Sequence, residues 1–483
     1  MKSCDVIIIG AGAVGCAIAR ELSRYRISVI VLEKEADVAG GTSGRNSAVV
    51  HAGFNNRPGS LMARLCVEGN KGFESLCRSL HVPYRKTGKL LIAYDEADIQ
   101  KLCEIIQQGN QNGCEDLRLI SGEELHQLAP NVNGIGAMYS PHTAIFDPFT
   151  YCIALAENAA ENGVKFKFEQ QVTRIERENE RFHVFTADCE YTSKYIINSA
   201  GLHSDEISRM AGVDKYQLYP CRGEYFILDK IAKDVLAIPV YPVPKPGIGG
   251  LGVHLTPTID GNLIIGPSAE YIDRREDYAT TSEIMSKLIS EAQQILPGIE
   301  RKYVIGGYSG IRPKQAPPGE GGFRDFVICE EDTCPGLINL IGIESPGLTA
   351  SMPIARMVCK IISEKARLEE KDNFITQRKE IVRFREQSPE EQSRLIADDP
   401  EYGEIICRCQ KITKREIRQA IENPLGVKSI SAIKYRAWAT TGRCNGGYCL
   451  TRIVDMLVNE YGISPNSITY RSKGSEMFFG EVK

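Results

Sequence analysis

The sequence has little that would place it in a membrane or on a nucleic acid. Its 483 residues include one tryptophan, and no apolar run reaches the roughly 18 residues that a membrane-spanning helix needs. The formal net charge is −4, whereas a protein that binds nucleic acid needs a basic face. Met1-Lys2-Ser3 leads almost directly into an apolar stretch, which leaves no room for a signal peptide. We therefore expect neither a transmembrane segment nor a nucleic-acid partner.

Cysteine is plentiful, with sixteen residues. Without a signal peptide, this number predicts reduced thiols in a cytoplasmic protein. Twelve cysteines are scattered, mostly among apolar residues, and are expected to fill the core. The other four occur as Cys407-Arg-Cys409 and Cys444-Asn-Gly-Gly-Tyr-Cys449. Four thiolates at one centre suit zinc or an iron–sulfur cluster, with a disulfide as a third alternative, and the residues alone do not separate zinc from a cluster.

The N-terminal segment has the pattern of a dinucleotide site. Two apolar stretches typical of buried parallel strands flank Gly10-Ala-Gly12-Ala-Val-Gly15, which opens a predicted helix. In such a unit Gly10 permits a tight turn, Gly12 lets a pyrophosphate approach the backbone, and Gly15 packs the helix on the strand. Glu33 ends the second strand and can accept ribose hydroxyls. The unit predicts dinucleotide binding but does not distinguish FAD from NAD.

A small, polar stretch over residues 40–47 follows this unit and leads into His51. Together with the fingerprint, it resembles the second cofactor contact of the D-amino-acid-oxidase-like FAD-dependent oxidoreductases, where such a stretch passes beside the flavin ring. The cofactor contacts that it implies are Thr42, Ser43, Arg45, Asn46 and Ser47. The resemblance recurs over residues 195–201, 307–313 and 342–349, and implies further contacts at Ala200, Gly201, Gly310, Gly347, Leu348 and Thr349. It also implies a helix over 350–362 whose positive end faces the flavin.

Several segments resemble one branch of this family more closely. They include 51–53, 88–90, 222–225, 241–244 and 251–257, and they are similar to L-2-hydroxyglutarate dehydrogenases and oxidases and to the short glycerol-3-phosphate dehydrogenases of anaerobes. This resemblance covers roughly residues 1–360. It implies oxidation of a small anionic alcohol, but it does not decide between a phosphate ester and a 2-hydroxy acid.

Oxidising a secondary alcohol requires a base for the hydroxyl proton, a hydride acceptor and a cation for the anionic end of the substrate. Histidine is the natural base near neutral pH, and the candidates are His254, on a predicted strand, and His51, which could instead tune the flavin electrostatically. Arg312 is the first candidate for the cation, because a guanidinium binds carboxylate or phosphate bidentately. The second-rank candidates for substrate binding are Arg222, Tyr241 and Arg64.

The tail predicts a separate domain. Residues 366–402 are dense in charge and predict a linker of exposed helices, and Thr413 with Glu416 forms the capping-box signature of a helix start. The segment 403–483 resembles the bacterioferritin-associated-ferredoxin-like [2Fe–2S] domain. That resemblance implies a [2Fe–2S] cluster held by Cys407, Cys409, Cys444 and Cys449, with zinc as the alternative.

Together these features predict an α/β protein: a Rossmann-like FAD domain from residues 1–80, 145–215 and 325–365, a mixed β-sheet capping domain from 81–144 and 216–324, the linker, and a small helical cluster domain. The expected function is dehydrogenation of sn-glycerol 3-phosphate, with electrons leaving through the cluster to a protein acceptor or a partner flavoprotein subunit. The alternatives are an L-2-hydroxyglutarate dehydrogenase or oxidase, and a non-catalytic electron-transfer or redox-sensing subunit.

Overall fold

A computed structural model describes residues 2–230, 235–244 and 252–480. Leu251, which belongs to one of the resemblance segments, lies outside the described residues. Within them, no helix combines the length and the apolar character that crossing a bilayer requires.

A six-stranded sheet forms the centre of the first domain. Five strands are parallel and Val327–Glu331 pairs antiparallel at one edge. In spatial order the strands are Lys165–Lys167, Val29–Leu32, Val6–Ile9, Tyr195–Asn198, Cys334–Ile341 and Val327–Glu331. Every residue of Val6–Ile9 and Val29–Leu32 is buried, because helices cover one face and a second sheet covers the other. All six strands come from the three segments expected to build the FAD domain.

Helices and small sheets complete this domain. The main helices are Ala13–Leu22, Leu61–Ser79, Pro148–Glu161, Ser204–Met210 and Ser351–Ser363. A four-stranded sheet consists of Lys2–Ser3, Glu190–Ser193, Arg181–Phe185 and Arg174–Glu178, and a three-stranded sheet consists of Val49–Val50, Ala144–Phe146 and Tyr84–Lys86. The N-terminal strand, turn and helix agree with the sequence prediction within about three residues at each boundary.

The capping domain is a large mixed sheet. Its strands are Arg118–Ser121, Gly136–Ser140, Lys89–Ala93, Val240–Pro242, His254–Pro257, Leu263–Gly266, Tyr219–Leu228, Glu270–Tyr271 and Val304–Lys314. The helices Glu96–Gln111, Gly122–Leu128 and Ser282–Ile295 accompany it. The long strands Tyr219–Leu228 and Val304–Lys314 pair antiparallel along nearly their whole length, which brings Arg312 opposite Cys221.

The linker differs from the expectation of exposed helices. Within residues 366–402 the only α-helix is Pro389–Asp398, and 366–388 runs irregularly along the first domain. The Arg378 guanidinium is buried there against Glu157, and the Asn158 amide donates to the carbonyls of Ile375 and Gln377. The charged composition was misread because part of that charge is used in buried contacts rather than exposed to water.

The C-terminal domain contains the two short strands Ile405–Cys407 and Ile412–Thr413 and the helices Lys414–Ile421, Ile430–Ala437 and Cys449–Asn459. The capping box predicted at Thr413 and Glu416 is present with both of its hydrogen bonds. Arg436 fixes this domain to the first one, because its buried guanidinium reaches Asp37 at 2.6 Å and Glu157 at 2.8 Å. Burial alone would raise the pKa of Glu157, but Arg378 and Arg436 hold it below its usual range.

Candidate functional site

A cavity of about 1050 Å³ opens where the carboxyl ends of the central strands meet the capping sheet. This is where α/β proteins of this kind bind ligands. The cavity lining contains most of the residues named from the sequence: Gly10, Gly12, Glu33, Thr42, Ser43, Arg45, Asn46, Ser47, His51, Ala200, Gly201, Tyr241, His254, Gly310, Arg312, Gly347, Leu348 and Thr349.

The glycines at one end of the cavity are required by close backbone approach. A Cβ on Gly10 would lie 2.7 Å from the Ser199 carbonyl oxygen, and one on Gly15 would lie 2.0 Å from the Gly10 carbonyl oxygen. Gly15 is therefore a packing residue behind the cavity rather than part of its lining. Gly12 is the N-cap of the helix Ala13–Leu22 and supplies no side-chain cap. The helix N-terminus is thus open to a phosphate group, which fits the pyrophosphate of a dinucleotide.

Glu33 is positioned by the turn that it closes. One of its carboxylate oxygens accepts the Ala11 N–H at 2.6 Å and the other accepts the Glu35 N–H at 2.9 Å. Burial raises the pKa of Glu33, while these two hydrogen bonds oppose the rise. The carboxyl group lines the cavity where ribose hydroxyls of a dinucleotide would lie.

The polar stretch crosses the cavity between the two domains. The Ser43 hydroxyl accepts the Ala13 N–H at 2.9 Å, and the Thr42 hydroxyl donates to the Ile311 carbonyl at 2.8 Å. Gly310 lies so close to this stretch that a Cβ there would be 2.1 Å from the Arg45 carbonyl oxygen. The stretch therefore joins the dinucleotide turn to the strand that carries Arg312.

His51 lies against the last glycine-rich turn. Its backbone N–H donates to the Thr349 hydroxyl at 3.1 Å, and its Nε2 is 3.4 Å from the Ser345 hydroxyl. Burial, with a smaller contribution from Lys89, lowers the pKa of His51 to about 3. The side chain is therefore neutral at physiological pH. The following helix begins at Ser351, one residue after the expected start.

His254 has one ring nitrogen engaged and the other without a partner. Its Nδ1 is 3.0 Å from the Gly252 carbonyl oxygen, so Nδ1 carries the proton and Nε2 carries the lone pair. Nε2 is buried and has no hydrogen-bond partner among the described residues. The ring stacks on Tyr241, with centroids 3.7 Å apart. Burial, followed by the charge of Lys89, lowers the pKa of His254 well below its usual value.

Arg312 projects into the same cavity without a carboxylate partner. Its guanidinium donates to the Ser268 carbonyl at 3.2 Å and lies 3.8 Å from the Cys221 sulfur, and it forms no ion pair with any described residue. Gly223 makes room for it, because a Cβ there would lie 2.8 Å from the guanidinium. A partly buried cation with no counter-charge is suited to an anionic ligand.

The two other candidate arginines lie elsewhere. Arg222 is buried outside the cavity lining and its guanidinium is paired with Glu270 at 2.8 Å and Asp277 at 2.9 Å. Arg64 is exposed on the surface of its helix and also lies outside the lining. The structure therefore does not bring either one to the cavity. The two closest carboxylates are some fifty residues away in sequence, so no local pattern showed them, although Glu224, two residues on, also lies 3.7 Å from the guanidinium.

Lys89 is a site residue that sequence reasoning missed. It is 1% exposed, and its Nζ has no hydrogen-bond partner among the described residues. Nζ lies 3.5 Å from the centroid of the Tyr241 ring, and the His254 ring centroid lies 3.7 Å from it. Because two groups this close cannot share one face of the ring, Lys89 and His254 lie on opposite faces of Tyr241. Burial lowers the pKa of Lys89 to about 7. The available signal was a lysine inside the apolar strand Lys89–Ala93, all of which is buried.

The four C-terminal cysteines gather at one end of the last domain. The Cys409 and Cys444 sulfurs are 3.6 Å apart, close to the roughly 3.8 Å expected for two sulfurs on one tetrahedral metal at about 2.3 Å. Cys407 neighbours both Cys409 and Cys449. Backbone hydrogen bonds, chiefly from Tyr448, and the Cys409 side chain lower the pKa of Cys444.

The four thiols are the right donors for either kind of centre. A single tetrahedral zinc needs all four thiolates around one point, whereas a [2Fe–2S] cluster needs two thiolates on each iron. Cys407 neighbours Cys409 and Cys449, and Cys409 lies beside Cys444, so all four could be ligands of one centre.

Family comparisons identify both parts of the chain. Residues 5–361 match the FAD dependent oxidoreductase family, and the chain belongs to it. Residues 405–459 match the BFD-like [2Fe-2S] binding domain. The protein is thus an FAD-dependent oxidoreductase with a [2Fe–2S] domain, which confirms the expected fold class and both cofactors.

Individual relatives extend this result. The glycerol 3-phosphate dehydrogenase of Caloramator mitchellensis is 38% identical over 482 residues, which cover 99% of each chain. The mitochondrial L-2-hydroxyglutarate dehydrogenase of Arabidopsis thaliana is 33% identical over 401 residues, covering 73% of this chain and 82% of the relative. Among solved structures, L-alpha-glycerophosphate oxidase from Mycoplasma pneumoniae with FAD bound superposes with a TM-score of 0.73 at 29% identity, covering 78% of this chain and 98% of that one.

Proposed function

We propose that this protein oxidises the secondary alcohol of sn-glycerol 3-phosphate to dihydroxyacetone phosphate and passes the electrons to an external acceptor through its C-terminal domain. The observation that carries the proposal is the presence of two groups in one cavity: the Nε2 of His254, which has no hydrogen-bond partner among the described residues, and the guanidinium of Arg312, which has no carboxylate partner among them. A base and a cation in the same cavity suit an alcohol that bears an anion. The full-length similarity to a glycerol 3-phosphate dehydrogenase supports the substrate.

Each side chain in the cavity has a separate role in the proposed reaction. Arg312 binds the phosphate, and His254 Nε2 accepts the hydroxyl proton while Nδ1–H stays on the Gly252 carbonyl. A bound flavin would supply the acceptor for the hydride that leaves the carbon bearing the hydroxyl group. His51, which is neutral and whose backbone N–H donates to Thr349, would tune the electrostatic surroundings of that cofactor. Tyr241 keeps the His254 ring in one orientation by stacking on it.

Lys89 acts through His254 rather than on the substrate. It lies on the far face of Tyr241 and outside the cavity lining. A buried positive charge there opposes protonation of His254, so the histidine remains a base at pH values where an ordinary histidine would be protonated. Lys89 is therefore a positioning residue for the charge state of the base.

The four C-terminal cysteines are the candidate ligands of the cluster. Cys407 and Cys449 are buried in the core of the domain, and Cys409 and Cys444 are exposed. These four side chains would hold the two irons, with one edge of the cluster toward the core and the other toward solvent. Two electrons released one at a time suit a one-electron centre of this kind.

L-2-Hydroxyglutarate is the second candidate substrate, favoured by the similarity to the Arabidopsis enzyme over 73% of this chain. The glycerol 3-phosphate dehydrogenase match covers 99% of both chains and so includes the C-terminal domain. This difference is why we place the phosphate ester first.

An anaerobic absorbance titration tests the proposal. Purified protein is titrated with sn-glycerol 3-phosphate and, in a second cell, with L-2-hydroxyglutarate. We expect the phosphate ester to bleach the flavin band at ~450 nm and the cluster absorption to decrease after it. Bleaching by the hydroxy acid alone would transfer the proposal to the second candidate. Bleaching by neither would mean that the substrate is another molecule or that the protein only relays electrons.

Arg312→Lys tests the clamp in the same assay. A lysine keeps the charge but loses the planar fork, so KM for the phosphate ester should rise at least tenfold, with kcat lowered and flavin content unchanged. Arg64→Lys, on the exposed face of its helix, is the matched control and should leave the kinetics as they are. Unchanged kinetics in Arg312→Lys would remove this residue from the substrate site.

A further inference from the structure

The exposed edge of the cysteine centre is surrounded by positive charge. Arg408 and Arg443 each precede one of the two exposed cysteines in sequence, and Lys411 and Arg452 are exposed on the adjoining turn and helix. We call these four side chains the basic collar. Neither 405–413 nor 438–454 contains an aspartate or glutamate, although the chain as a whole carries a net charge of −4.

The basic collar differs from the paired cations of its domain. Lys414, Arg415, Arg418 and Arg436 all form ion pairs with carboxylates. The four collar residues form none with any residue in the part of the chain that the structure describes. Arg408 and Arg452 instead lie near the Tyr448 ring, at 4.1 Å and 4.7 Å from its centroid. Unpaired positive charge therefore lies next to the exposed cysteines.

We propose that the basic collar is the docking surface for an electron-acceptor protein whose own redox centre is ringed by carboxylates. Surfaces of opposite charge steer association and orient the two partners before contact, which suits a short-lived electron-transfer encounter. The collar residues are exposed and do not line the large cavity of the described structure, so their surface suits an extended contact.

The inference rests on the proposed role of this domain as the electron exit. Each docking event transfers one electron from the reduced cluster to the acceptor, so two events complete the oxidation of one substrate molecule. Tyr448, with two guanidinium groups 4.1 Å and 4.7 Å from its ring centroid, adds an aromatic side chain to the surface next to Cys449. Aromatic and arginine side chains are the residues that contribute most to protein interfaces.

Anion binding is measured first, with no turnover required. Methyl signals of Leu450, Thr451 and Val454 are followed in oxidised holoprotein while either tris(oxalato)chromate(III), a trianion, or tris(ethylenediamine)chromium(III), a trication, is added. The trianion should broaden these signals at lower concentration than the trication does. Equal broadening by both ions would overturn the proposal.

Electron transfer is measured next on protein reduced with dithionite, so that the result does not depend on the substrate. Stopped-flow reoxidation by ferricyanide should be about tenfold slower in Arg408→Gln/Arg443→Gln than in the unmodified protein, and should lose its dependence on salt. Reoxidation by hexaammineruthenium(III), a trication, should not slow. Lys287→Gln/Arg301→Gln, which removes the same charge from the exposed surface of the capping domain, is the matched control.

One charge-conserving variant and a set of anionic competitors complete the test. Arg408→Lys/Arg443→Lys keeps the charge and should keep the fast rate, and the reduced-cluster spectrum shows whether each variant retains its cluster. A glutamate decapeptide should slow reoxidation by ferricyanide in the unmodified protein. A ferricyanide rate that is the same in the glutamine and lysine variants would overturn the proposal, as would competition by duplex DNA or anionic vesicles but not by the glutamate peptide.

Discussion

The cavity and the cysteine centre handle charge in opposite ways. In the cavity, burial keeps His51 and His254 neutral, and neither Arg312 in its lining nor Lys89 behind Tyr241 has a carboxylate partner among the described residues. At the cysteine centre the charges are exposed and unpaired. Buried unpaired charge costs stability and is kept where it acts on a ligand or a neighbouring group, whereas exposed unpaired charge costs little and acts at long range. The comparison predicts different responses to mutation, pH and salt at the two sites.

Removing the base should give the largest effect. His254→Gln keeps a polar side chain of similar length but no basic nitrogen, so kcat should fall about 10³-fold, within the usual range for a general base. Flavin content and melting temperature should change little. His183→Gln, which alters a histidine paired with Glu190 away from the cavity, is the control. A loss of less than tenfold in His254→Gln would assign the proton to another group, with His51 the next candidate.

The second-largest effect should come from breaking the buried ion pairs that join the C-terminal domain to the first domain. Glu157 is buried between Arg378 and Arg436, so Glu157→Gln leaves two buried guanidinium groups with less counter-charge and should destabilise the docked C-terminal domain by about 3–4 kcal/mol. Limited proteolysis after residue 363 should accelerate, while flavin bleaching by substrate should persist. Glu391→Gln, at an exposed ion pair with Arg394, is the control and should change stability by less than about 1 kcal/mol. An unchanged cleavage rate would show that other contacts hold the domain.

Sequence reasoning succeeded where the chemistry is local. The turn with Gly10 and Gly15 and the capping box at Thr413 could be predicted because each depends on residues within a few positions of one another, whereas the stretch from Thr42 was named from a family resemblance. It failed where distant segments meet. Glu270 and Asp277 reach Arg222 only through the fold, and the contacts of the linker with Glu157 and Asn158 likewise join distant segments.

Lys89 was missed for a related reason. A lysine in an apolar strand normally suggests a strand edge, but the capping sheet places this one behind Tyr241, with His51 and His254 near by and Cys66 the closest thiol. Its role depends on the stack of Lys89, Tyr241 and His254, which come from three different strands. Sequence can show that such a lysine is unusual, but not which groups it faces.

Replacing Lys89 by methionine sharpens the comparison further. The folded pKa of about 7 lies below the ordinary value of 10.5, so Lys89 destabilises the fold fully below pH 7 and progressively less as the pH rises toward 10.5. Lys89→Met should therefore raise the free energy of unfolding at pH 7 by about 2–4 kcal/mol and by much less at pH 10. Denaturant unfolding at the two pH values measures both quantities. A variant that is less stable at pH 7 would mean that Nζ has a partner that compensates its burial.

The same variant should lose activity only in acid. Below pH 7 the protonated Lys89 opposes protonation of His254, so its removal lets the pKa of His254 rise and moves the acid limb of the kcat/KM profile upward. Activity should fall several-fold at pH 6 and stay unchanged at pH 8. A purely structural role for Lys89 would lower activity equally at both pH values. At the cysteine centre, by contrast, Lys411→Met should leave the pH profile of activity unchanged. It should change the free energy of unfolding by less than about 0.5 kcal/mol, because the charge of Lys411 is exposed.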